Sequence, residues 1–335
     1  MAITDFITHS FSREADSKTR LRLRDSPVPP SEQLDLFARE LKTAFQKRAG
    51  REYGCFDETQ NDAVLPQKLK ALLDDSINFV AASVQWMQAL QAIMDELDIV
   101  MHGHAVFMRE EHLGDAVFYL FVLSDKESLV VNSRLEVERT RYVDFGTTLM
   151  AAKVELSLWQ ANASRSYLTL AVPRTANIWV DTFRALAGFA NTIDKKAETE
   201  SFLQSVSTFS MELPDDSVSE FQAKVVDFCL ERDKQGEAVE FDALSGAVAE
   251  VAGVDGGRFA KSMAEACEGQ DNKLHVDRNS MRRYLRFTGR EKDLTVSFAS
   301  TQMPERVRYD TENDVLTIRG LPKSLREQLL KHLQS

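Results

Sequence analysis

Four cations alternate along Lys18-Thr-Arg-Leu-Arg-Leu-Arg24, and that spacing is the signature of a β-strand. Lys18, Arg20, Arg22 and Arg24 then share one face, while Leu21 and Leu23 turn inward. Successive cations would stand about 6.7 Å apart, comparable with two phosphate rises of roughly 3.4 Å each along one strand of a duplex. The chemistry on offer is phosphate neutralisation. An edge strand that uses charge to block edge-to-edge pairing has the same pattern, so both roles stay open. A second basic run, Arg278-Asn-Ser-Met-Arg-Arg-Tyr-Leu-Arg-Phe-Thr-Gly-Arg-Glu-Lys292, interleaves Arg278, Arg282, Arg283, Arg286 and Arg290 with Tyr284 and Phe287. Such interleaving suits phosphate contact with rings or aliphatic stems packed alongside, although a solvated face reads the same way. No helix-turn-helix, zinc-finger or RNP pattern accompanies it, so no reader of base edges is identified.

Other chemistries find less support. His102 and His104 lie two apart, with Glu110, Glu111, His112 and Asp115 following across an expected turn. That set contains the ligand types of a metal-dependent hydrolase, but exposed loop polars would look identical. No metal or other cofactor is therefore expected. The glycines at Gly253, Gly256 and Gly257 lack the spacing and the lysine of a phosphate-cradling loop, and no motif locates a catalytic serine or cysteine. Cys55, Cys229 and Cys267 are scattered and odd in number, which fits a reducing compartment.

The elements that must position these residues begin after Pro27, Pro29 and Pro30, which end the first basic strand. Ser31 can cap a helix whose buried stripe is Leu34, Phe37, Ala38, Leu41 and Phe45. Gly50 and Gly54 bracket a break. Val80, Val84, Met87, Leu90, Met94 and Leu97 then mark a second long helix starting near Asp75 or Ser76. Asp115-Ala-Val-Phe-Tyr-Leu-Phe-Val-Leu123 is nearly apolar on both faces and reads as the central strand of a sheet. Lys153-Val-Glu-Leu-Ser-Leu-Trp159 alternates, so it reads as a strand with one wet side. Trp179, Phe183, Leu186 and Ala190 would lay a helical stripe against that sheet.

Residues from about 195 to 268 read as acidic and predominantly helical. Leu294 to Phe298, Arg306 to Tyr309 and Val315 to Ile318 then form a small antiparallel sheet, with Asp310 to Asp314 as a turn. A closing helix after Pro322 would cover it with Leu325, Leu329 and Leu333. The expected fold is α+β: a central, mainly antiparallel sheet packed with helices over residues 1–192. A helical region, the small sheet and the closing helix follow over 193–335.

Net charge is −11, which argues against a chain that coats nucleic acid by bulk charge. That charge is unevenly spread, however: residues 1–52 carry a net +2 and 271–335 a net +4, while 53–175 carry −7 and 176–270 carry −10. A local basic face is compatible with these sums. So is an acidic middle that binds a basic partner. The first residues lack a basic segment followed by a long apolar one, and no apolar run approaches the roughly 20 residues that span a bilayer. A cytosolic protein with no membrane partner is expected.

Several segments resemble the bacterial 37-kilodalton nucleoid-associated protein family. They include Leu23-Arg-Asp-Ser26, Tyr53-Gly-Cys-Phe56, Tyr142-Val-Asp-Phe145 leading into Ala151-Ala-Lys-Val-Glu-Leu-Ser-Leu-Trp159, and Val180-Asp-Thr-Phe-Arg-Ala-Leu-Ala-Gly188. Arg278 to Gly289, Leu294 to Phe298, Asp314-Val-Leu-Thr-Ile-Arg-Gly320 and Pro322-Lys-Ser-Leu-Arg-Glu-Gln-Leu329 continue the likeness in the same order. The resemblance implies a cytoplasmic protein associated with the nucleoid and credited with binding double-stranded DNA, without an established catalytic activity. It leaves open RNA as a further ligand, other nucleoid proteins as partners, and a homodimer. No motif of the family carries DNA contacts over residue by residue, so the candidate site residues rest on the charge pattern alone.

Overall fold

The computed structural model describes residues 2–333, apart from 49, 61–62, 146–149, 174–177, 252, 267–271, 293, 300–301 and 304. Contacts divide the chain into two units, Met1–Asp194 with Lys234–Glu237, and Lys195–Asp233 with Ala238–Ser335. In the first unit β1 (Ala2–Arg13) and β2 (Arg20–Arg22) precede α1 (Glu32–Lys47), β3 (Arg51–Phe56), α2 (Val64–Leu73) and α3 (Phe79–Glu96). Next come β4 (Met101–His112), β5 (Asp115–Val131), β6 (Val137–Val143), β7 (Met150–Glu155) and α4 (Leu156–Gln160). The unit ends with β8 (Leu168–Ala171), α5 (Ile178–Ala187) and β9 (Phe189–Asn191).

Nine strands form one antiparallel sheet in the order β2-β1-β4-β5-β7-β8-β3-β9, with β6 paired to the outer half of β5. The central strand shows why its sequence is apolar throughout. Phe118, Leu120 and Val122 enter a core shared with α2, α3 and α5, while Val117, Tyr119, Phe121 and Leu123 enter a second core beneath α1. Helices cover both faces, so the period of two that marks a half-wet strand is absent from this stretch. On α1 the Ser31 hydroxyl accepts the Leu34 N–H at 3.2 Å, and Leu34, Ala38, Leu41 and Phe45 are buried as their spacing requires.

Four local expectations are corrected. The strand expected over 153–159 stops at Glu155, which pairs with Val117 close to the start of β5. Without a partner beyond that point, Leu156 opens the short helix α4. Ala190 is not on the helix with Phe183 and Leu186: α5 ends at Ala187, and Gly188, with a φ of +60°, turns the chain into β9. The break expected between Gly50 and Gly54 is strand β3. Gly54 permits its pairing, because a Cβ there would lie 1.9 Å from the Ala190 carbonyl oxygen of β9. The second long helix begins at Phe79, where Asn78 accepts the Ala81 N–H at 2.8 Å, and the residues before it form the separate helix α2.

The second unit opens with α6 (Lys195–Ser210), α7 (Asp215–Gln235), β10 (Val239–Glu240), α8 (Phe241–Val248), α9 (Gly256–Ala266) and β11 (Lys273–Leu274). Its core gathers Phe202, Phe209, Phe221, Phe241 and Phe259. There follow α10 (Arg278–Tyr284), β12 (Arg286–Glu291), β13 (Leu294–Ala299), β14 (Val307–Asp310), β15 (Val315–Ile318) and α11 (Lys323–Leu333). The small C-terminal β-structure consists of two hairpins, β12-β13 and β14-β15. Leu325, Leu329 and Leu333 do not face inward. They are exposed, and α11 buries none of its residues.

Candidate nucleic-acid interface

β2 keeps only three residues of the expected strand and forms one edge of the large sheet, pairing Arg20 with Ser12, Leu21 with Phe11 and Arg22 with Ser10. Leu21 packs against the core as expected, whereas Leu23 is exposed because it lies beyond the ladder. Lys18, Arg20, Arg22 and Arg24 are all exposed. Arg20 and Arg22 have no ion-pair partner among the described residues, while Lys18 lies 3.9 Å from Asp95.

Two polar clusters hold this strand in place. At its start, the Thr19 N–H and hydroxyl both donate to Asp95 Oδ1 at 2.7 Å, and Gln91 Nε2 donates to the Thr19 carbonyl at 2.7 Å. These bonds from Thr19 hold the Asp95 carboxyl below the usual carboxylate range. Buried Arg13 adds an ion pair to Asp95 at 3.6 Å and another to Asp98. At the far end His9 is 1% exposed, and its ring bridges two elements. The Ser83 hydroxyl donates to the Val80 carbonyl at 2.8 Å, so it accepts from His9 Nε2 at 2.9 Å, leaving Nδ1 to accept the Arg24 N–H at 3.2 Å. That tautomer is neutral. Burial and the Arg24 charge lower the His9 pKa from 6.5 to about 4. Neither cluster is legible in the sequence, because Asp95 and Ser83 lie more than 70 residues from the partners they hold.

In the second unit the basic run divides. Asp277 caps α10 by accepting the Ser280 N–H at 2.8 Å. Arg278 is committed to Asp233, donating Nε to its carboxylate and a terminal nitrogen to its carbonyl at 3.2 Å. It is not a free phosphate ligand. Arg282 and Arg283 are exposed in the last turn of α10, where cations also suit the helix dipole. Tyr284 does not interleave with them at the surface: it packs on the helical core, its hydroxyl 2.8 Å from Ser207 Oγ. Phe287 is exposed and packs beside Phe298. Arg286 and Arg290 occupy positions on β12, paired with Ala299 and Thr295, and their side chains lie outside the described residues. The two basic sets thus belong to different units.

His102 and His104 sit on β4, which runs unbroken through Glu110 and Glu111, so the expected turn between them is absent. Each histidine meets its own carboxylate, His102 with Glu14 at 3.2 Å and His104 with Asp125 at 3.6 Å. Among the described residues no three His, Cys, Asp or Glu side chains gather as a metal set. Cys55 is half-buried, Cys229 is buried with its thiol pKa pushed up by burial, and Cys267 lies outside the described residues. No helix among the described residues is long and apolar enough to cross a membrane.

The model of the family described as nucleoid-associated protein YejK matches residues 7–326. A nucleoid-associated protein of Pseudomonas putida strain KT2440 is 28% identical over 334 residues, covering 98% of each chain. One from Pseudomonas entomophila is 28% identical over 333 residues and one from Azotobacter vinelandii 27% over 333, again covering 98% of each chain.

Proposed function

We propose that this chain, which belongs to the nucleoid-associated protein YejK family, holds double-stranded DNA in the nucleoid by its backbone phosphates. The observation that carries the reading is the edge strand β2 with its flanks, where four exposed cations follow one another and three have no competing carboxylate among the described residues. An exposed guanidinium can meet a phosphate through two N–H donors. Arg282 and Arg283 offer a second contact of the same kind. Because phosphates repeat in every sequence, affinity is largely independent of base order, and RNA would compete through the same groups. The role is binding, without a chemical step.

The test is the affinity of the purified chain for a short unrelated duplex between about 50 and 200 mM salt. Neutralising six phosphates gives a slope of log K against log salt near −5, at about 0.9 per phosphate. Replacing Arg20, Arg22 and Arg24 together by alanine should reduce that slope by nearly 3 at about 0.9 per lost contact. A steep slope that the triple variant leaves unchanged would move the contact to Arg282 and Arg283. No binding at low salt would overturn direct contact and favour a protein partner for the acidic middle.

A further inference from the structure

Between the start of β1, residues 27–30 and α1 lies a cavity of about 660 Å³, within the roughly 300–1,000 Å³ of small-molecule sites. One wall is a face of α1, where Asp35, Ala38, Arg39 and Lys42 follow at i, i+3, i+4 and i+7. Phe6, Val28, Pro30 and Leu34 supply apolar lining, and Glu110 enters from β4. The charged groups of this cavity are incompletely matched. Glu110 is 1% exposed; its Oε1 accepts from Lys42 Nζ at 2.6 Å, while Oε2 has no hydrogen-bond partner among the described residues. An ammonium carries three donors, so Lys42 keeps two beyond that bond. Asp35 and Arg39 are exposed, and although helical neighbours four apart can pair, neither side chain has an ion-pair partner among the described residues.

We propose that this cavity binds a small zwitterion with an apolar body, namely an apolar α-amino acid. Its ammonium donates to Glu110 Oε2, the acceptor that the fold leaves without a donor. Its carboxylate accepts from Arg39 and from the spare donors of Lys42, which stand one helical turn apart and can share one anion. Its side chain rests on Phe6, Val28 and Leu34. This reading does not rest on DNA contact.

The charge pattern selects this class. Two cations and two carboxylates line the cavity and cancel, so a ligand of one sign meets repulsion from half of the set. A purely apolar ligand would displace water and still leave Glu110 Oε2 without a donor. A neutral polar ligand could bond these groups but would bring no counter-charge to any of them. A zwitterion meets both signs at once, and the apolar lining then sets the preference for its side chain.

The experiment is isothermal titration calorimetry of the full chain with L-leucine and L-phenylalanine, and with N-acetyl-L-phenylalanine and L-phenylalanine amide, which lack the ammonium and the carboxylate in turn. At least one of the two amino acids should bind once per chain. Both derivatives should bind at least about tenfold more weakly than L-phenylalanine, since each loses a hydrogen bond between charged groups. The variant Arg39→Gln should weaken the amino acid by a similar factor, and because Arg39 is exposed the fold tolerates the change. No saturable heat from either amino acid up to about 5 mM, derivatives that bind as well as their parent, or an Arg39→Gln variant that binds like wild type would each overturn the proposal.

Discussion

A Lys42→Met variant is expected to lose about 3 kcal/mol of stability at neutral pH, the range found when one partner of a buried ion pair is removed. Glu110 is 1% exposed on β4, flanked by Ile3 of β1 and Val117 of β5. Lys42 reaches it from α1 and donates to Oε1 at 2.6 Å, while Oε2 has no hydrogen-bond partner among the described residues. Without the ammonium, the carboxylate stays desolvated and uncompensated. Methionine keeps the apolar stem, so the loss reports charge rather than packing. Urea unfolding of Lys42→Met, Glu110→Gln and the double variant separates the two effects. The double variant should recover most of the loss. A single Lys42→Met variant within about 1 kcal/mol of wild type would show that the pair contributes no more than an exposed one.

The second large effect is a loss of stability in mild acid through His9. Its folded pKa of about 4 lies below the ordinary 6.5, so between these values the unfolded chain binds the proton and the folded chain does not. Stability from this group is complete above about pH 6.5 and is lost as pH falls toward 4, a total of about 3 kcal/mol at 1.36 kcal/mol per pH unit. From pH 7 to 5 the loss should be about 2 kcal/mol, before most carboxylates titrate. Unfolding of wild type and His9→Gln at both pH values checks this. Glutamine can still donate and accept but does not titrate, so its variant should show a shallower pH dependence by that amount. Equal slopes would mean that His9 is not held neutral. Protonation also removes the acceptor for the Arg24 N–H, so the basic edge strand should loosen over the same window.

Sequence patterns reveal those parts of the fold whose causes are local or periodic. The Ser31 cap and the α1 stripe need only one turn of helix, and Asp115 to Leu123 needs only to be apolar on both sides. The failures share a different cause. Leu156 and Leu158 continue an alternation that is cut short opposite the start of β5, and Ala190 keeps a helical spacing that Gly188 interrupts. Leucines at 325, 329 and 333 have the period of a covered face but no cover among the described residues. For the site, sequence identifies the exposed cations of residues 18–24 and the pair Arg282 and Arg283. It also includes Arg278, because a guanidinium held by Asp233 is spelled like a free one. The clusters that hold the edge strand join residues more than 70 positions apart, and no window along the chain displays them.

The uncovered helix α11 also bears on how the chain would come apart. Eleven residues are fewer than an isolated helix needs for much stability in water, and none of these is buried. Its backbone amides should therefore exchange with deuterium far faster than those of β4 or β5, through a local opening that leaves the rest folded. Heating would melt this last segment ahead of the main transition, and a protease would trim it first.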